Sequence, residues 1–149
     1  MTERRIVLDA SVAAKWFLVE KHSEKALDIL AEIDAGDLMI HVPRVFIYEV
    51  CTLLSKACRG HSPRLTKIVA TEALHLVFGM NFEVHDLSPD AAAKSLAMSV
   101  DFSNGFKDMA YLHLAMELGC AFCTADARML DSVPKTFPHE HVVVLANWT

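Results

Sequence analysis

Five short apolar runs, separated by segments with helical spacing, constrain this chain more than any other feature of it. The runs are "RIVL" at 5–8, "DLMIHVP" at 37–43, "NFEVHDL" at 81–87, "CAFCT" at 120–124 and "EHVVVLANW" at 140–148. Each has the length and the branched or aromatic content of a strand. Between them the spacing predicts helices over 22–35 and 44–58, closed by Gly36 and Gly60. Further helices are predicted over 62–80, opened by Ser62-Pro63, over 88–100, opened by Ser88-Pro89, and over 104–119, closed by Gly119. A short helix should follow Asp9, with Ser11 as its cap and Trp16 and Phe17 on its apolar side. Strands that alternate with helices predict an α/β sandwich with a mainly parallel sheet. In such sheets ligands bind beyond the carboxyl ends of the strands.

With 149 residues, 53% of them hydrophobic, the chain is expected to form a single domain over 1–149. No apolar run approaches the roughly 20 residues of a membrane span, and "MTERR" leads into too few apolar residues for a signal peptide. A soluble, cytoplasmic protein is the expectation. Cys51, Cys58, Cys120 and Cys123 then read as reduced packing residues. Cys51 and Cys58 are separated by about 10 Å of helix rise, which argues against a zinc site shared with the Cys120–Cys123 pair. His139 and His141, flanking Glu140, read as loop residues because no third ligand lies near them in sequence. The net charge of −5 argues against a nucleic-acid partner only if the acids are scattered. Acids gathered around divalent cations remove that objection.

Four acids sit where chemistry is expected. Asp9 ends the first strand and Asp126 follows "CAFCT", so neighbouring strands would bring the two carboxylates together. Glu49 lies in "PRVFIYEVCTLL" and Asp108 in "GFKDMAYLHLA", both strongly apolar helical stretches. Taken singly, each has a structural role open to it. Asp9 and Asp126 suit helix caps, Glu49 an exposed helix face, and Asp108 a first-turn position favoured by the helix dipole. Taken together, they form a hard, oxygen-rich set suited to Mg²⁺ or Mn²⁺ rather than zinc. The matching reaction class is metal-assisted hydrolysis of a nucleic-acid backbone.

"VLDASVAAKWF", "VPRVFIYEVCTLL", "FKDMAYLHLAMELG" and "FCTADARML", in this order and at these separations, resemble the PIN-domain family, most closely its VapC-like toxins. The resemblance runs from Arg5 to about Trp148. It implies a three-layer α/β/α sandwich and a metal-dependent endoribonuclease acting on RNA. By position Asp9, Glu49, Asp108 and Asp126 match the family's acidic quartet, with Asp9 and Asp108 the first magnesium (or manganese) ligands. Ser11 and Thr124 match the residues that orient carboxylates or ligand waters. A homodimer and a VapB-like antitoxin encoded beside the toxin are also implied.

Two features depart from the family pattern. Lys107 stands where many relatives carry an aromatic or small residue, and it either contacts phosphate or points to solvent. The arginines at 44, 59, 64 and 128 look dispersed, which leaves Arg128 and, more weakly, Lys15 as substrate contacts. The apolar helices around Tyr48 and Phe78 offer a partner groove or a dimer face, or simply core. A phosphotransfer domain fits less well, because position 11 is Ser and no lysine closely follows "CAFCT". The reading from another class is a catalytically silent PIN-like module that holds RNA or protein without cutting it.

Overall fold

A computed structural model describes residues 4–149. Its centre is β1 (Arg4–Leu8), where Ile6, Val7 and Leu8 are almost fully enclosed. β2 (Leu38–Pro43) and β4 (Ala121–Thr124) pair with β1 on either side, and β3 (Phe82–His85) and β5 (Val142–Val144) extend the sheet outward. All four pairings are parallel, giving the order β3-β2-β1-β4-β5.

α1 (Ala10–Ala14) and α2 (Ser23–Asp34) connect β1 to β2, and α3 (Val45–Ala57) and α4 (Lys67–Gly79) connect β2 to β3. α5 (Pro89–Asp101) and α6 (Phe106–Leu118) carry the chain back from β3 to β4. Parallel strands take right-handed crossovers, and this last connection runs opposite to the first two. It therefore covers the other face, where α6 packs across β1, β2 and β4 beneath α5. The result is the expected α/β/α sandwich. Strand order reverses between β1 and β4, which places a crevice at their carboxyl ends.

Three local expectations change. Ser11 does not cap α1; it lies inside the helix, whose N-cap position is Asp9 without a side-chain cap bond. α4 begins at Lys67 under a Thr66 cap, not at Ser62-Pro63. The cause is a fold-back of the preceding loop, in which the amides of Arg64 and Leu65 both donate to the Ala57 carbonyl at 2.7 and 3.1 Å. The last strand is only Val142–Val144, because the chain beyond it turns at Leu145–Asn147 to seat Trp148. The indole of Trp148 donates to Glu32 at 3.1 Å and its carbonyl accepts from Lys25 at 2.6 Å, both on α2. All four cysteines are free thiols, and no helix among the described residues is long and apolar enough to cross a membrane.

Candidate active site

Asp9 leaves the end of β1 with 6% of its surface exposed, so its carboxylate needs local compensation. Ser11 Oγ and Thr124 Oγ1 both donate to its Oδ2, at 2.9 and 2.7 Å. Neither bond uses Oδ1. The Thr124 hydroxyl also accepts the amide of Asp126 at 3.1 Å, and the Ser11 hydroxyl accepts the amide of Ala125 at 3.2 Å. Thus the two small hydroxyls bind the end of β1 to the turn that follows β4.

Thr124 is fully buried in this link, which makes it a direct test of it. Thr124→Val keeps the shape but removes the donor to Asp9 and the acceptor for Asp126. A loss of about 1–3 kcal/mol in urea unfolding is expected, with Thr124→Ser close to the parent. Equal stability of all three proteins would mean that the hydroxyl carries no weight.

The four acids line one cleft, together with Ser11, Lys56 and Lys107. Their surroundings differ. Glu49, on α3, accepts from Tyr111 at 2.7 Å and from Lys107 at 2.8 Å, one partner on each oxygen. Burial, reinforced by the charge of Glu49, raises the Tyr111 hydroxyl pKa and keeps it a donor. The bond to Glu49 likewise raises the pKa of the Lys107 ammonium. Asp126 is gripped by Arg128 through two contacts of 3.0 and 3.2 Å, and these hold its carboxyl below the usual carboxylate range. It also caps the 3-10 turn at Ala127–Leu130.

Asp108, in the first turn of α6, is different. Burial, and next the charge of Asp9, push its carboxyl up to about 6. Among the described residues, neither Asp108 nor Asp9 has an ion-pair partner within 4.0 Å. The quartet therefore divides into two acids neutralised by the chain's own cations and two that are not. The four carboxylates stay spread around the cleft: no three bring oxygens within 4.8 Å of one another.

Three residues near the site escape a reading of the sequence. Tyr111 lies one helical turn after Asp108, and Lys56 lies two turns after Glu49, so helical spacing is the signal that could find them. Arg64 has no such signal, since the fold-back of its loop brings it over. The arginines are consequently less dispersed than they look. Lys15, Lys56, Arg64 and Arg128 line a second cleft that adjoins the first through Ser11, Leu53 and Asp126. Lys107 is half-exposed at the rim of the cleft, with its ammonium paired to Glu49 at 2.8 Å.

The PIN domain family profile matches residues 6–135, which span all four acids. The chain belongs to the PIN domain family. Its fold is similar to that of several solved structures. PAE2754 from Pyrobaculum aerophilum has a TM-score of 0.67 at 20% identity, over 96% of this chain and 85% of that one. VapC20 of Mycobacterium tuberculosis, described as a toxin that cleaves the sarcin-ricin loop, has a TM-score of 0.63 at 16% identity, over 89% of this chain and 99% of that one. A chain of VapBC2 from Rickettsia felis, solved bound to a promoter DNA fragment, has a TM-score of 0.66 at 13% identity, over 94% and 98%. No curated protein sequence matches this PIN domain chain significantly.

Proposed function

We propose that this PIN domain protein is a metal-dependent endoribonuclease of the VapC type. The observation that carries the reading is the division of the quartet. Asp9 and Asp108 share one cleft without a cationic partner, and Asp108 holds its proton too tightly for an ordinary carboxyl. A divalent cation would relieve both. The donor set is all oxygen, and its loose spacing suits Mg²⁺ or Mn²⁺, which takes one or two carboxylates and keeps several waters.

In this reading Asp9 and Asp108 hold the ion, with Asp9 aimed by Ser11 and Thr124. When bound, the ion would offset negative charge on the scissile phosphate and lower the pKa of a bound water. Glu49, fixed by Tyr111 and Lys107, orients a water or the substrate, and Asp126 helps hold ligand waters while Arg128 limits its charge. Lys15, Lys56 and Arg64 line the adjoining cleft and receive neighbouring phosphates; Arg128 and Lys107 contribute charge while paired to their acids. Phosphate contacts of this kind position a strand without selecting its sequence.

The resemblance to VapC proteins supports a cognate antitoxin, a homodimer and a cytoplasmic setting as further parts of the proposal. Tyr48, Ile68, Leu76 and Phe78 are exposed on α3 and α4 and would suit either protein contact.

The test is incubation of the purified protein with structured RNAs, with Mg²⁺ or Mn²⁺ and with EDTA. Cleavage should require the metal and return when it is restored, and Asp9→Asn should be inactive under every condition. Cutting that persists in EDTA would sink the metal mechanism. RNA that stays intact with each metal, yet is retained on the protein, would favour the silent binding module.

A further inference from the structure

A second set of metal-type ligands lies away from the carboxylate cleft, on the outer strands of the sheet. β2 and β3 run parallel with His41 opposite Glu83 and Pro43 opposite His85. Side chains along a strand alternate faces, so Glu83 and His85 project to the same side, the side that carries His41. His41 Nδ1 is 2.9 Å from His85 Nε2 and 3.6 Å from Glu83 Oε2. Among the described residues, this is the group of His, Cys, Asp and Glu whose donor atoms all lie within 4.8 Å of one another. None of the three lines the cleft of the acidic quartet.

We infer that His41, Glu83 and His85 form a binding site for a borderline divalent transition-metal ion of the zinc class. Two imidazoles and one carboxylate are the donors such ions prefer, whereas magnesium favours oxygen alone. Ligands about 2.0–2.1 Å from one ion stand roughly 3.0–3.4 Å apart, and the two measured separations bracket that range. The burial is graded as an entry path requires. His41 is 5% exposed, His85 is half-buried, and the Glu83 side chain is 60% exposed at the open edge of the sheet.

Binding replaces the hydrogen bond between His41 and His85: the ring that donates the shared proton takes its other neutral tautomer, with the proton on the ring nitrogen away from the ion, so both rings bind as neutral imidazoles with no net proton release. The ion then ties β3, a four-residue edge strand, to β2 by side chains as well as by the backbone ladder. β3 also leads to Asp86, which pairs with Arg44 at the start of α3. A metal-dependent gain in stability is therefore expected at this edge, independent of any nuclease activity.

The experiment is a titration of untagged, metal-stripped protein with Co²⁺, read by visible absorption, and with Zn²⁺, read by calorimetry and thermal melting. It is run on the parent and on Asp9→Asn, so that the quartet's contribution is separated. A single tight equivalent is expected in both proteins, with a cobalt d–d band of nitrogen and oxygen ligation and a higher melting temperature with Zn²⁺. His85→Gln, at the exposed edge, should weaken binding by at least about tenfold while the metal-free fold stays intact by circular dichroism. Glu83→Gln provides a second variant. Equal binding by the parent, His85→Gln and Glu83→Gln would overturn the site, as would a near-ultraviolet charge-transfer band of thiolate ligation or no binding at all.

Discussion

Asp108→Asn is expected to melt at a higher temperature than the parent in metal-free buffer while losing RNA cleavage by at least about 100-fold. The stability gain follows from the sign of the pKa change. In the folded chain burial and Asp9 push the Asp108 carboxyl from 3.8 up to about 6, so folding favours its protonated form. Below pH 4 the group is protonated in both states and costs nothing. As pH rises through that window the unfolded chain releases its proton more readily, and the fold loses stability until about pH 6, above which the penalty is complete. The full difference corresponds to about 3 kcal/mol, and because the carboxyl is partly open to solvent we discount it to roughly 1–2 kcal/mol. Asparagine never charges and escapes the penalty. Melting curves in EDTA should separate by roughly 3–6 °C at pH 7.5 and converge toward pH 4. Coincident curves across the range would refute the argument. The loss of cleavage comes from the other side of the same feature, since a carboxylate held at a cost is what a cation needs and an amide is a far poorer ligand.

Replacing Tyr111 should have the largest effect on stability. Its ring is fully enclosed and stacks on Phe122 of β4, with centroids 5.2 Å apart and planes 18° from parallel. Its hydroxyl leaves this apolar packing to hold Glu49. Tyr111→Ala would remove a large core side chain and should cost about 3–5 kcal/mol, a large part of the roughly 5–15 kcal/mol typical of a whole domain. Tyr111→Phe separates the two roles. The ring stays and the hydroxyl goes, at a cost of about 1 kcal/mol. Glu49 is then held by Lys107 alone. Urea unfolding should rank the proteins parent, Phe, Ala, with a wide gap before the last. If Phe fell as far as Ala, the hydroxyl rather than the stacked ring would be what matters.

The legibility of this molecule in its sequence varies by the kind of information involved. β1 and Asp9 are legible because a run of three apolar residues that ends in an acid suits a buried strand delivering a carboxylate. The start of α6 and the position of Asp108 are legible from helical spacing and the closing Gly119. The start of α4 is not, because Ser62-Pro63 has the right local chemistry for a cap, and what overrides it is a contact with the Ala57 carbonyl several residues away. The same fold-back is why Arg64 looks isolated in sequence from Lys15, Lys56 and Arg128. His41, Glu83 and His85 meet only through the register of β2 against β3, which no local pattern encodes. For two of the acids, the structural role and the cleft position coexist. Asp126 is a cap and Asp108 a first-turn acid, and both line the cleft.

The bond from Thr124 to Asp9 spans 115 residues. The cleft can assemble only after β4 has been made and has docked beside β1. Up to that point the acids are separate solvated side chains with no shared geometry. The distance in sequence between Asp9 at the end of β1 and Thr124 at the end of β4 thus delays the closing of the cleft.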